Sequence, residues 1–280
     1  MTQVPDIKLN DGNTIPQLGF GVFQIDPAET ASAVERALAV GYRHIDTAEG
    51  YQNEAGVGEG FRASGLSRDE VFITSKLDNS KHEPDDARPA MDETLSQLGL
   101  DHVDLFLIHW PLPGLYDGDY VSTWKVMEEF KADGRARSIG VSNFQVPHLE
   151  RLAAETDTVP SVNQIELHPT FTQPQLRRYH RDNAIATEAW SPIGQGGELL
   201  KDELLTSLAE KYGKSPAQIV LRWHVQLGNI VFPKSVTPSR IAENIDIFDF
   251  ELADDDVAAI SGLDKGDPGA RLGPHPDDFN

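Results

Sequence analysis

Short apolar runs alternate with longer amphipathic segments along nearly the whole chain. Ahead of that alternation, Ile7-Lys8-Leu9 and Thr14-Ile15-Pro16 flank Asn10-Asp11-Gly12-Asn13, a turn sequence that predicts a small hairpin. Strands are then predicted at 19–23, His44–Asp46, 71–75, Val103–Ile108, 138–141, 162–167, 185–190 and 230–232. Between and after them, helical spacing of Ala, Val and Leu predicts helices at Pro27–Val40, Glu54–Ala63, 85–98, 120–133, Val146–Glu155, 174–183, 201–212, Pro216–Gln226, 238–248 and 253–263. Pro27 and Gly41 sit at the start and just past the end of the first helix, and Asn143 is a nearby cap for the fifth. Regular strand–helix alternation implies parallel strands with right-handed crossovers. Eight such units in 280 residues favour a closed (β/α)8 TIM barrel over an open sheet. No linker or fixed-period repeat divides the chain, so residues 1–280 read as a single domain with an irregular tail after Gly266.

Charge narrows the partners. Asp and Glu number 45 against 24 Lys and Arg, a net charge of −21. Such a field repels nucleic acid and anionic membranes and leaves a small molecule as the expected partner. The absence of cysteine removes disulfides, thiolate metal sites and cysteine nucleophiles. No apolar run reaches membrane-spanning length, and the opening MTQVPDIKLNDGN has neither the basic start nor the apolar stretch of a secretory leader. A cytoplasmic location is expected. Several motifs fail on spacing. Gly213-Lys214-Ser215 has Leu208 where a P-loop needs its first glycine. Gly19-Phe20-Gly21 and the glycines at 56, 58 and 60 do not complete a dinucleotide fingerprint, and Tyr120 and Lys125 are one residue too far apart for a short-chain dehydrogenase pair. His44, His82 and Asp46 lack metal-ligand spacing, and no metal is expected.

In a barrel, chemistry collects at the C-terminal ends of the strands. Those ends carry Asp46 with Tyr51 following, Lys76, His109-Trp110, Ser142-Asn143, Gln164 and Glu166, Trp190-Ser191, and Lys234-Ser235. A phenol is a poor acid near neutrality, with a pKa of about 10. A buried ammonium beside it favours the phenolate and lowers that value, while a carboxylate keeps the ammonium charged. A histidine alongside can donate a hydrogen bond to a substrate oxygen. Asp46, Tyr51, Lys76 and His109 therefore suit protonation of an alkoxide as a carbonyl is reduced, with hydride supplied by a cofactor. A glycosidase using Asp46 and Glu166 would leave Tyr51 and Lys76 without a task.

The stretch Gly41-Tyr42-Arg43-His44-Ile45-Asp46-Thr47-Ala48 with Tyr51, Asn53-Glu54 and Val57-Gly58 resembles the first signature of the aldo-keto reductase family. Ile139-Gly140-Val141-Ser142-Asn143, Asn163 to Pro169, and Pro233-Lys234-Ser235 with Arg240 and Glu243-Asn244 resemble its later motifs. Trp190-Ser191-Pro192 and Gly194-Gln195-Gly196 are similar to the bacterial 2,5-diketo-D-gluconate reductase subgroup. The resemblance implies an NADPH-dependent reductase with Tyr51 as general acid, Lys76 and Asp46 tuning it, and His109 orienting the carbonyl. It further implies that Ser142, Asn143 and Gln164 bond the nicotinamide carboxamide and that Trp190 stacks on its ring. Lys234, Ser235 and Arg240 would hold the adenosine 2′-phosphate, with Glu243 and Asn244 near the adenine. Ser191, Gly194 and Val236 complete the implied cofactor set, and His168 reads as structural. Fixed cations suit a doubly charged phosphate, which favours NADPH over NADH.

Phe23, Trp110 and Trp190 would line an apolar substrate pocket, left open by the short 111–119 connection. Asp78 stands where relatives often carry an aromatic residue; it would flank the pocket and disfavour anionic keto-sugar acids. Phe232 before Pro233 alters packing. The expected substrates are aldehydes, ketones or dicarbonyls, and the expected state is a monomer. A non-catalytic NADPH-binding redox sensor or regulatory subunit is the competing reading, and a structural role without cofactor a third.

Overall fold

The turn at 10–13 folds β1 (Asp6–Lys8) back on β2 (Thr14–Pro16), pairing Ile7 with Ile15. This holds in a computed structural model that describes residues 4–279; residues 1–3, on which part of the leader expectation falls, and Asn280 lie outside the described residues. Leu9 and Ile15 are buried against Leu105, Leu107, Val162 and Ile230, so the hairpin plugs the barrel floor with aliphatic side chains.

The eight strands that follow are all parallel and pair in chain order: β3 (Phe20–Gly21), β4 (His44–Asp46), β5 (Phe72–Leu77), β6 (Val103–Ile108), β7 (Ala136–Ser142), β8 (Val162–Glu166), β9 (Ala186–Trp190) and β10 (Ile230–Val231). The ring closes through Gly19 N–H to Val231 O at 2.8 Å and Val231 N–H to Gln17 O at 3.0 Å. Around it lie α1 (Pro27–Val40), α2 (Glu54–Ala63), α3 (Pro84–Leu98), α4 (Tyr120–Ala132), α5 (Val146–Glu155), α6 (Pro174–Asp182), α7 (Glu203–Tyr212), α8 (Pro216–Gln226), α9 (Pro238–Ile245) and α10 (Asp254–Ser261). Proline occupies the first turn of six of them, where its missing N–H costs nothing. The glycine run at 56–60 has a packing reason: a Cβ at Gly58 would overlap the Leu98 carbonyl and one at Gly60 the Ala31 carbonyl, so α2 nests between its neighbours. No helix among the described residues is long and apolar enough to cross a membrane.

The predicted boundaries need local corrections. The segment 201–212 is not one helix: the Asp202 carboxylate accepts from Leu204 N and starts α7 at Glu203, after a separate short turn at Glu198–Lys201. Helix α9 stops at Ile245, because the Gln218 amide takes the carbonyls of Glu243 and Asp246. Asn143 does not cap α5. Gln145 does, and Asn143 instead adopts a left-handed φ of 65° and donates to His109 O at 3.0 Å. The tail after Gly266 has no helix or strand among its described residues, as expected, yet it is anchored: Glu166 accepts Leu272 N–H at 2.6 Å and Gly273 N–H at 3.0 Å.

Candidate active site

Above the aliphatic floor the barrel interior turns polar. Asp46 ends β4 and Lys76 lies one residue before the end of β5, so both side chains point into the barrel near its mouth. Lys76 is fully buried and donates to Asp46 (2.8 and 2.9 Å to the two oxygens) and to Thr47 O at 2.8 Å, with Tyr51 alongside. The ammonium lies 4.9 Å from the Tyr51 ring centroid. Tyr51 sits on a short turn directly after β4, edge-on to His109 with centroids 5.7 Å apart. Phe23, 53% exposed, leans on Tyr51 at 5.0 Å. The four residues expected to act together are thus contiguous.

Their protonation states follow from burial first. Burial alone would lower Lys76, but the Asp46 carboxylate and Tyr51 outweigh it and hold the ammonium above the usual lysine value. Tyr51 corrects the expectation of a net depression. Burial raises it, the Lys76 charge pulls it back down, Asp46 pushes up again, and the balance stays above the ordinary phenol value. The ammonium acts in the expected sense and is outweighed, so the phenol keeps its proton. His109 is pushed down to about 3 by burial and by Lys76, with Asp78 opposing. It is a neutral imidazole at physiological pH, able to donate one hydrogen bond.

On the opposite wall, Ser142 Oγ donates to Gln164 O at 2.9 Å, and Trp190 Nε1 donates to Asn143 Oδ1 at 2.8 Å. Gln164 Nε2 donates to Asp46 Oδ2 and to Glu188 Oε2, each at 2.9 Å, while its Oε1 has no partner among the described residues. Ser191 and Gly194 follow β9 in left-handed backbone, with φ of 50° and 57°. Past β10, Lys234 and Arg240 are exposed and make no ion pair with another described residue; Val236 is also exposed. Ser235 is buried, and its Oγ accepts Thr237 N–H at 3.1 Å. Glu243 is engaged elsewhere, accepting the Ser215 hydroxyl at the start of α8, and Asn244 is buried beside it. His168 bonds Glu166 at 3.0 Å and Thr170 at 2.9 Å, a structural arrangement.

Asp78 accepts Ser80 N–H at 2.9 Å and so caps a short turn, while Glu49 accepts Asp78 N–H at 3.0 Å. Its charge reaches His109, consistent with a place beside the pocket. The side of the pocket next to the 111–119 connection is not open as expected. Phe279 of the tail packs on Trp110 with ring centroids 4.4 Å apart and leaves Trp110 only 9% exposed. Sequence reasoning missed Phe279, although an aromatic residue in a polar tail was a usable signal. It also missed Glu188, fully buried on β9, although a residue two before Trp190 faces the same way along a strand.

A closed barrel with titratable side chains converging at its strand ends belongs to the class of (β/α)8 enzymes. The family model of the aldo/keto reductase family matches residues 17–265, and this chain belongs to that family. It is 50% identical over 274 residues to a methylglyoxal reductase of Escherichia coli (strain K12), covering 98% of this chain and 97% of that one. An aldo/keto reductase crystal structure from Brucella melitensis shares 54% identity, with a TM-score of 0.91 over 94% of this chain and 99% of that one. A Bombyx mori aldo-keto reductase solved in complex with NADP shares 42% identity, with a TM-score of 0.89 over 95% and 94% of the two chains.

Proposed function

We propose that the protein is an NADPH-dependent reductase of small aldehydes, ketones and dicarbonyls. The observation that carries the reading is the Lys76 ammonium, held by Asp46 and set 4.9 Å from the Tyr51 ring centroid, beside a neutral His109 at the barrel mouth. Tyr51 gives its proton to the carbonyl oxygen as charge develops there, and Lys76 stabilises the phenolate left behind. The His109 N–H holds the same oxygen. Phe23 and the pair of Trp110 with Phe279 of the tail give the site its apolar border.

The chain's own residues fit the cofactor. The unpartnered Oε1 of Gln164 offers an acceptor to a carboxamide, with Ser142 and Asn143 beside it and Trp190, Ser191 and Gly194 on the adjoining strand end. The unpaired Lys234 and Arg240, with Ser235 and Val236 between them, supply the cations a 2′-phosphate needs in a protein of net charge −21. Asn244, and Glu243 where it is not held by Ser215, would border the adenine. NADPH, when bound, supplies the hydride. Nothing in this set favours a sensor, which would have no use for a tuned proton donor. The reading extends to a single domain over 1–280, a cytoplasmic location, and a monomer whose partner is the small carbonyl substrate.

The test is loss of NADPH absorbance with methylglyoxal, an aromatic aldehyde, a simple ketone and a keto-sugar acid. Turnover is expected with the neutral carbonyls and least with the acid, because Asp78 and Glu49 repel it. Absence of NADPH oxidation with every substrate would overturn the assignment.

A further inference from the structure

Glu188 is a buried carboxyl that the proton-donating set does not use. It lies on β9 between Gln164 of β8 and Ile230 of β10. Its Oε2 accepts one Nε2–H of Gln164 at 2.9 Å, and Asp46 Oδ2 accepts from the same nitrogen at 2.9 Å. Its Oε1 is buried without a partner. A buried carboxyl satisfied on one oxygen only is costly, and an aliphatic side chain in its place would ordinarily be cheaper.

We infer that Glu188 is a positioning residue acting through Gln164: with Asp46 it takes up both amide protons and so turns the amide oxygen away from the two carboxyl groups. The amide has two donors on one atom and acceptors on the other. The reversed amide would give up both of these bonds and set its oxygen against the Asp46 carboxylate. The free Oε1 is therefore presented in one sense only, as a ready acceptor for the carboxamide. This inference rests on the proposed contact between Gln164 and the nicotinamide.

Charge makes the device sensitive to pH. The titratable groups that face Glu188 are Asp46 from β4 and Lys76 from β5; Gln164 and Ile230 on the flanking strands carry no charge. Lys76 already balances Asp46, so no cation is left for a second carboxylate. Burial and Asp46 push Glu188 up to about 8, against the pull of Gln164 and Lys76. It is a neutral acid near pH 7. Above about pH 8 its ionisation puts a second negative charge on the clamp, unbalanced in the buried layer.

The test is the dissociation constant of NADPH, read by tryptophan fluorescence quenching across pH, for wild type, Glu188→Leu and Glu188→Gln, with circular dichroism to verify folding. Glu188→Leu removes the acceptor and is expected to weaken NADPH roughly tenfold near neutrality, the order for an amide that loses one partner. Glu188→Gln restores an acceptor oxygen without a titratable group. It should recover most of that loss and lack the alkaline step that wild type shows near pH 8. A folded Glu188→Leu that binds NADPH like wild type, or an alkaline step that persists in Glu188→Gln, would overturn the inference. Turnover retained in Tyr51→Phe would instead defeat the catalytic reading, and the binding comparison does not depend on it.

Discussion

At the residue scale, Tyr51 illustrates how opposing effects act on the proposed proton donor. Burial keeps the proton on, and the Lys76 ammonium 4.9 Å from the ring centroid pulls the other way without outweighing it. Tyr51→Phe deletes the hydroxyl and leaves the ring packed on Phe23. We expect NADPH affinity to persist and turnover to fall by about 10²–10⁴-fold, the usual worth of a positioned acid, as read in single-turnover kinetics. Lys76→Met is a poorer probe, because an uncompensated Asp46 would cost the fold about 3–5 kcal/mol. Asp46, Tyr51, Lys76 and His109 were legible in the sequence because each follows or ends an apolar run. Glu188 was not singled out: a glutamate inside a run of mixed polarity reads as an exposed strand position until the barrel closes over it.

At the element scale, the segment from Pro233 through α9 carries the proposed phosphate site. Lys234 and Arg240 lie six residues apart, and both are exposed and free of ion pairs among the described residues. Lys234→Ala with Arg240→Ala should raise the Michaelis constant for NADPH far more than that for NADH, since only the former presents the extra phosphate. Equal changes for both cofactors would remove the 2′-phosphate assignment. Four of the ten helices and, among the eight barrel strands, two appear with their predicted limits. The misplaced ends have particular causes. Asp202 caps α7 two residues past its predicted start, and Gln218 reaches from α8 to end α9. A contact between elements leaves no periodic trace in either one.

At the scale of the molecule, buried titratable groups set the pH range of stability. His44 and His82 are pushed down to about 4, and His109, His180 and His224 to about 3, by burial. Between those values and the ordinary 6.5 the unfolded chain takes up protons that the fold refuses, so stability drops as pH falls. Glu54 and Glu188 are pushed up to about 7 and about 8 by burial. From the ordinary 4.5 up to those values the unfolded chain sheds protons that the fold retains, so their contribution is lost as pH rises. Five histidines outweigh two carboxyls on the acid side. The melting temperature should peak near pH 6.5 to 7 and decline more steeply below than above. A melting temperature still rising above pH 8 would contradict this balance.

The alternation of apolar runs and amphipathic segments was enough to specify the barrel, because strand and helix periodicities are local and each unit can bury its apolar face only against the next. The residue types at the strand ends pointed to carbonyl reduction, and the motif stretches around them carried the family resemblance. What needed the folded chain were relations between distant segments. The tail returns so that Phe279 covers Trp110, Glu166 anchors it through Leu272 and Gly273, and one glutamine amide is shared by Asp46 and Glu188. The net rise in the Tyr51 pKa belongs here as well. Desolvation and charge act through space, and their balance exists only once the barrel has brought β4, β5, β8 and β9 around the same small volume.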